Sequence, residues 1–94
     1  MYAKPLITNK TMTLANTEYN HTFQDNCKKI LVRERSGGED VKIAWVSGES
    51  GTNYFTLGAG STKAIDGFHV YARIMYFQCT AVGKILEIEE WIEA

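Results

Sequence analysis

The sequence has little cysteine and proline, and it has no long apolar run. Its two cysteines, Cys27 and Cys79, are too few to staple a fold, and neither has another cysteine or a histidine at metal-ligand spacing. We therefore expect two packed thiols. No stretch approaches the roughly 18 uninterrupted apolar residues of a membrane span, and no apolar run of signal-peptide length follows Met1. We expect a chain made in a cytoplasm, with no membrane partner.

The sequence also lacks an excess of charge of either sign. It has 10 Lys+Arg against 11 Asp+Glu, a formal net charge of −1. Proteins that hold phosphate backbones through bulk charge are more basic, so we expect no nucleic-acid partner. Because a chain of 94 residues buries about 64% of its unfolded surface on folding, it supports one core and one domain.

What the sequence does have is alternation with a period of two, which is typical of strands with one buried face. Turn residues recur between the alternating runs, as in the Gly37-Gly38 loop. We predict an all-β fold: a single antiparallel β-sandwich, jelly-roll or Ig-like, of seven to eight short strands over residues 11–94. Residues 1–10 contain Pro5 and no clean period, so we expect an N-terminal arm there. The predicted strands are about 11–15, 18–24, 28–35, 41–47, 53–57, 62–65, 68–79 and 83–92.

The last segment has one alternative. Ile85, Ile88 and Ile92 fall at helical spacing. No helix cap follows Gly83, however, and isoleucine and tryptophan favour a sheet, so we predict a strand.

Catalytic chemistry is not indicated. His21 and His69 lie inside strand patterns, and no G-x-S-x-G nucleophile motif occurs. Glu89 and Glu90 would point to opposite faces of an extended strand and cannot flank one bond. We therefore expect no catalytic residue, no metal site and no cofactor. Glu87, Glu89 and Glu93 would share a strand face, which we interpret as a solvated surface.

Two further features are candidates for a binding surface: a cluster of basic residues, and a predicted strand that is apolar on both faces. The basic residues are diluted by neighbouring acids, which favours an ordinary charged strand face over an oligonucleotide-binding barrel; they are Lys28, Lys29, Arg33 and Arg35. The predicted strand 68–79 is rich in large side chains on both faces, and one small core cannot easily use both. We therefore expect a homo-oligomer or partner contact there, and the candidate contact residues are Tyr71, Arg73, Met75, Phe77 and Trp91.

Several stretches together resemble small β-sandwich structural proteins of tailed bacteriophages. They are TLANTEY (13–19), KKILVRER (28–35), DVKIA (40–44), YFTLGAGS (54–61), MYFQC (75–79) and AVGKILEIEEW (81–91). The resemblance runs from about Thr11 to Trp91, with Val82-Gly83 where such proteins have Ala-Gly and Met75-Tyr76 where they have Leu-Tyr. It brings no catalytic residue with it.

The resemblance implies a virion component assembled in the host cytoplasm. The expected function is a capsid decoration protein that oligomerises, for example as a trimer, and binds the major capsid protein or other virion proteins. Two alternatives stay open. One is another head-tail accessory protein. The other is a carbohydrate-binding sandwich of a tail or fibre, in which Trp91, Tyr71 and Tyr54 would stack on sugar rings.

Overall fold

The computed structural model describes residues 2–66 and 73–93, and for residues 2–4 the backbone alone. Its regular structure consists of strands: β1 (Tyr2–Met12), β2 (Tyr19–Thr22), β3 (Cys27–Glu34), β4 (Val41–Ala44), β5 (Phe55–Leu57), β6 (Thr62–Asp66), β7 (Ile74–Gln78) and β8 (Lys84–Glu93). In the described part of the chain, no helix is long and apolar enough to cross a membrane.

The strands form two antiparallel four-stranded sheets that pack face to face. Sheet A has the order β1-β8-β3-β6 and sheet B the order β2-β7-β4-β5. First pairs with last, second with seventh, third with sixth and fourth with fifth, which is the strand order of a jelly roll. The prediction of a small antiparallel β-sandwich is confirmed, and the jelly-roll order is the one found.

Alternation along the strands builds the core between the sheets. In β3, Ile30 and Val32 point inward, and in β8 Leu86 and Ile88 do so. Both cysteines are free and buried, as expected. The apolar core is Met12, Phe23, Cys27, Ile30, Val32, Val41, Ile43, Leu57, Met75, Phe77, Cys79, Leu86 and Ile88.

The amino-terminal segment differs from its prediction. Residues 2–12, most of them expected to form an arm, are strand β1, which pairs with β8 from Tyr2↔Glu93 to Met12↔Lys84. Of the predicted strand 11–15, only residues 11 and 12 belong to a strand, the end of β1. Two of the inward positions of β1 are the polar residues Thr8 and Lys10, so no continuous apolar alternation marks the strand. The backbone ladder to β8 holds this segment in place.

The carboxyl-terminal prediction of a strand rather than a helix is confirmed by β8. The predicted strand 68–79 corresponds to β7, which begins at Ile74. Its residues 68–72 lie outside the described residues.

A buried hydrogen bond between a carboxylate and an imidazole interrupts the apolar core. Glu90 is 1% exposed and lies inward on β8, and its Oε2 atom is 2.9 Å from Nε2 of His21 on β2. The other carboxylate oxygen, Oε1, accepts the Gln24 backbone N–H at 2.8 Å. The His21 ring also packs edge-on against Phe23, with ring centroids 5.1 Å apart. One carboxylate thus joins sheet A to sheet B and to the β2–β3 connection.

Replacing Glu90 should therefore be strongly destabilising. Glu90→Ala leaves the buried His21 ring and the Gln24 N–H without their shared partner, and we expect a loss of about 3 kcal/mol in the free energy of unfolding. The matched control is Glu93→Ala on the same strand, at an exposed position, where we expect a change within about 0.5 kcal/mol. Urea denaturation measures both. Equal effects of the two substitutions would contradict the role given to Glu90.

Candidate interaction surfaces

The structure separates the five candidate contact residues. Met75 and Phe77 are fully buried between the sheets, so they are core residues and the contact prediction is wrong for them. Arg73 is exposed just before β7, and its carbonyl accepts the Phe23 N–H at 3.1 Å. Trp91 is half-buried on sheet A, and Tyr71 lies outside the described residues. A strand that is apolar on both faces carries no signal for which face becomes the core.

The outer face of sheet A is a candidate surface that extends across four strands. It consists of the side chains that point away from sheet B, arranged in rows across the four strands. One row is Ile7, Glu89, Leu31 and Ala64, and the next is Asn9, Glu87, Arg33 and Thr62. A depression of about 320 Å³ lies where these rows meet, between Ile7, Leu31, Thr62 and the two glutamates.

An ion-pair cluster borders this depression. Glu87 lies opposite Arg33, whose Nε donates to Oε1 at 2.6 Å, while Nε of Arg35 donates to Oε2 at 2.9 Å. The hydrogen bonds from Arg33 and then Arg35 hold the pKa of Glu87 below its ordinary value, and Glu87 raises the pKa of Arg33. The carboxylate is thus an ionised acceptor shared by two guanidinium groups, which keeps both arginines on the outer face.

Trp91 continues the same face toward the other end of the sheet. It pairs across the ladders with Pro5 on one side and Lys29 on the other. Its indole N–H donates to Oε1 of Glu89 at 2.9 Å, which orients the ring. The outer face of sheet A therefore combines an aromatic ring, exposed aliphatic groups and paired charges.

The basic cluster of the sequence lies on and just beyond β3. Two of its members, Arg33 and Arg35, share Glu87, and the register places Lys29 opposite Asp66. Carboxylates thus alternate with the basic groups across this face. This pattern favours the interpretation as a charged strand face over a phosphate-binding one.

Of the three aromatic residues of the carbohydrate hypothesis, the two that the structure describes lie on or beside different sheets. Trp91 belongs to sheet A, whereas Tyr54 directly precedes β5 of sheet B. Cations already lie against the aromatic rings near β5. Lys42 Nζ is 5.0 Å from the centre of the Tyr54 ring, and Lys63 Nζ is 3.7 Å from that of Phe55.

A polar network that the sequence did not reveal fastens residues 47–53 against sheet B. Glu18 accepts the backbone N–H groups of Gly48 and Ser50, and it accepts the Ser50 hydroxyl at 2.5 Å. Ser50 is fully buried and accepts a hydrogen bond from Gln78 of β7 at 2.8 Å. Gly48, with φ of +84°, takes a left-handed conformation in this turn.

In residues 2–66 and 73–93, no group of three or more His, Cys, Asp or Glu side chains is placed to hold a metal ion. Comparison with protein-family models, with curated proteins and with solved structures gives no match for this chain.

The Glu18 network predicts a specific acid sensitivity. The Ser50 hydroxyl and the two backbone N–H groups lower the Glu18 pKa below its ordinary value of 4.5, although burial opposes them. A lowered folded pKa means that the stabilisation is complete above the unfolded pKa and is lost as the pH falls through the folded pKa. We expect Glu18→Gln to lower the melting temperature at pH 7 and to flatten its decline below about pH 4.5.

Melting temperatures between pH 3 and pH 7 test this, with Glu93→Gln as the exposed control. The control should keep the wild-type pH profile. An unchanged acid slope in Glu18→Gln would contradict the assignment.

Proposed function

We propose that this chain is a non-enzymatic structural protein of a tailed-bacteriophage virion, a capsid decoration protein that self-associates and stabilises the head. Its place of action is the virion, after assembly in the host cytoplasm. Its partners are further copies of itself and the major capsid protein or another virion protein.

The observation that carries this proposal is the open outer face of sheet A. The face is broad and shallow, as surfaces that bind other proteins are, whereas small-molecule sites are usually deep clefts. It offers Trp91, two arginines and the exposed Ile7 side chain, and aromatic residues and arginine are enriched in protein interfaces. The paired charges give such a face directional contacts at its rim.

The fold and the resemblance add support by analogy. Jelly rolls occur in viral capsid proteins and also in lectins, so the fold alone favours neither function. The resemblance to phage structural proteins covers about Thr11 to Trp91. A compact sandwich loses little conformational entropy on docking, and repeated weak contacts on a symmetric shell add up through avidity.

Co-sedimentation with phage heads that lack the chain tests the proposal. We expect the wild-type chain to sediment with these heads and to be present in purified virions by mass spectrometry. Trp91→Ala should weaken head binding at least about tenfold, the loss of one interface hot spot. The control, Tyr54→Ala, removes an exposed aromatic side chain near sheet B and should bind like wild type.

Two results would overturn the proposal. One is a wild-type chain that neither sediments with such heads nor occurs in virions. The other is a Trp91 fluorescence response to a panel of glycans, which would favour the carbohydrate-binding alternative.

A further inference from the structure

Among the described residues, β1 is the longest of the four edge strands, and no strand pairs with its outer edge. Sheet A ends at β1 on one side, and β1 spans 11 residues. The other three edge strands are β6 with 5 residues, β2 with 4 and β5 with 3. Natural sheets commonly keep their edges short because an open edge can pair with another chain. The length of β1 departs from that rule.

Two backbone hydrogen bonds show which groups of β1 face outward. The carbonyl of Met12 accepts the Gly83 N–H at 2.8 Å, and the carbonyl of Ile85 on β8 accepts the Arg35 N–H at 2.9 Å. The first points toward β8 and the second toward β3. Because successive residues of a strand direct their backbone groups to opposite sides, the even-numbered residues from Lys4 to Met12 bond to β8. The backbone groups of Pro5, Ile7, Asn9 and Thr11 face the open edge.

Only one end of this edge is protected. Pro5 has no N–H to offer, and the ladder shifts register between Tyr2 and Lys4. Beyond Pro5, the backbone groups of Ile7, Asn9 and Thr11 have no strand beside them among the described residues. The side chains of Leu6 and Ile7, 40% and 63% exposed, flank them with apolar surface. The edge from Leu6 to Met12 is thus able to accept a strand.

We infer that this edge pairs with β1 of a second copy of the chain, antiparallel and about a two-fold axis at Asn9. This arrangement pairs Ile7 with Thr11 and Thr8 with Lys10, so no lysine lies opposite another. A two-fold axis at Ile7 would instead place Lys4 against Lys10, and like charges directly opposite are destabilising. The axis at Asn9 satisfies the outward backbone groups of Ile7, Asn9 and Thr11 on both chains and joins two copies of sheet A into one sheet.

The inference deepens the proposed function, since it names the surface through which copies associate. A two-fold contact makes the same patch meet itself and closes a dimer. The dimer replaces the trimer as the arrangement to test. It also places two outer faces of sheet A side by side.

Two variants at Asn9 test the inference. Asn9→Pro removes an N–H that points away from β8, and Pro5 already occupies an equivalent outward position in the same strand, so the pairing with β8 should persist. Asn9→Lys places like charges opposite each other at the axis. Asn53→Lys adds the same charge in an exposed turn and is the control. In light scattering at micromolar to millimolar concentrations, wild type and Asn53→Lys should have the mass of two chains, and both Asn9 variants that of one.

Amide hydrogen exchange gives a second readout on the unmodified chain. The N–H groups of Ile7, Asn9 and Thr11 should be protected at high concentration and lose protection on dilution. Those of Thr8 and Lys10, which face β8, should stay protected throughout. This measurement decides the question even if Asn9→Pro fails to fold.

The inference is overturned if the wild-type chain stays monomeric at millimolar concentration, or if it self-associates and both Asn9 variants do so equally. Capsid binding by a chain that stays monomeric would overturn this inference and leave the capsid-binding part of the proposed function standing. A chain that dimerises through β1 but binds no phage head would support this inference and overturn the capsid-binding part of the proposed function.

Discussion

The carboxylate of Glu90 is the point on which the two sheets depend for their alignment. It is buried beside the apolar core, contacts His21 across the sandwich and holds the Gln24 N–H of the connection into β3. Apolar side chains tolerate small shifts of one sheet over another, whereas a buried carboxylate loses its partners when displaced. Glu90 therefore fixes the lateral position of β2 relative to β8. The neighbouring apolar residues supply most of the burial.

A carboxylate organises each sheet in a different way: Glu87 binds two arginines on the outer face of sheet A, and Glu18 binds a loop beside sheet B. On the outer face of sheet A, Glu87 draws Arg33 and Arg35 together without covering the aliphatic groups beside them. On sheet B, Glu18 and Ser50 instead fasten the loop 47–53, and Ser50 is fully buried there against Gln78 of β7. The ion pairs on sheet A leave its outer face accessible. The hydrogen bonds on sheet B hold the loop 47–53 against that sheet.

The alternation of apolar and polar residues, together with the turn residues, predicted most of the strands. It failed for β1, where polar side chains occupy inward positions. The alternation in β3, β4 and β8 predicted their positions closely. It missed most of β1, whose inward positions include Thr8 and Lys10 and whose partner strand is distant in sequence. Glu90 has the same parity as Ile88 on β8 and lies inward with it. Its partner His21, 69 positions away, could not be found without the topology. For Met75 and Phe77, two apolar faces left the choice of core face undetermined.

The central position of β8 has a consequence for how the chain is made. It is the last of the eight strands, yet it lies between β1 and β3 in sheet A. While the ribosome still holds these residues, β1 has no neighbour to pair with and Glu90 is missing from the interior. The hairpin of β4 and β5 can form early, because its partners are close in sequence. Sheet A can therefore be completed only after β8 has been synthesised and has left the ribosome.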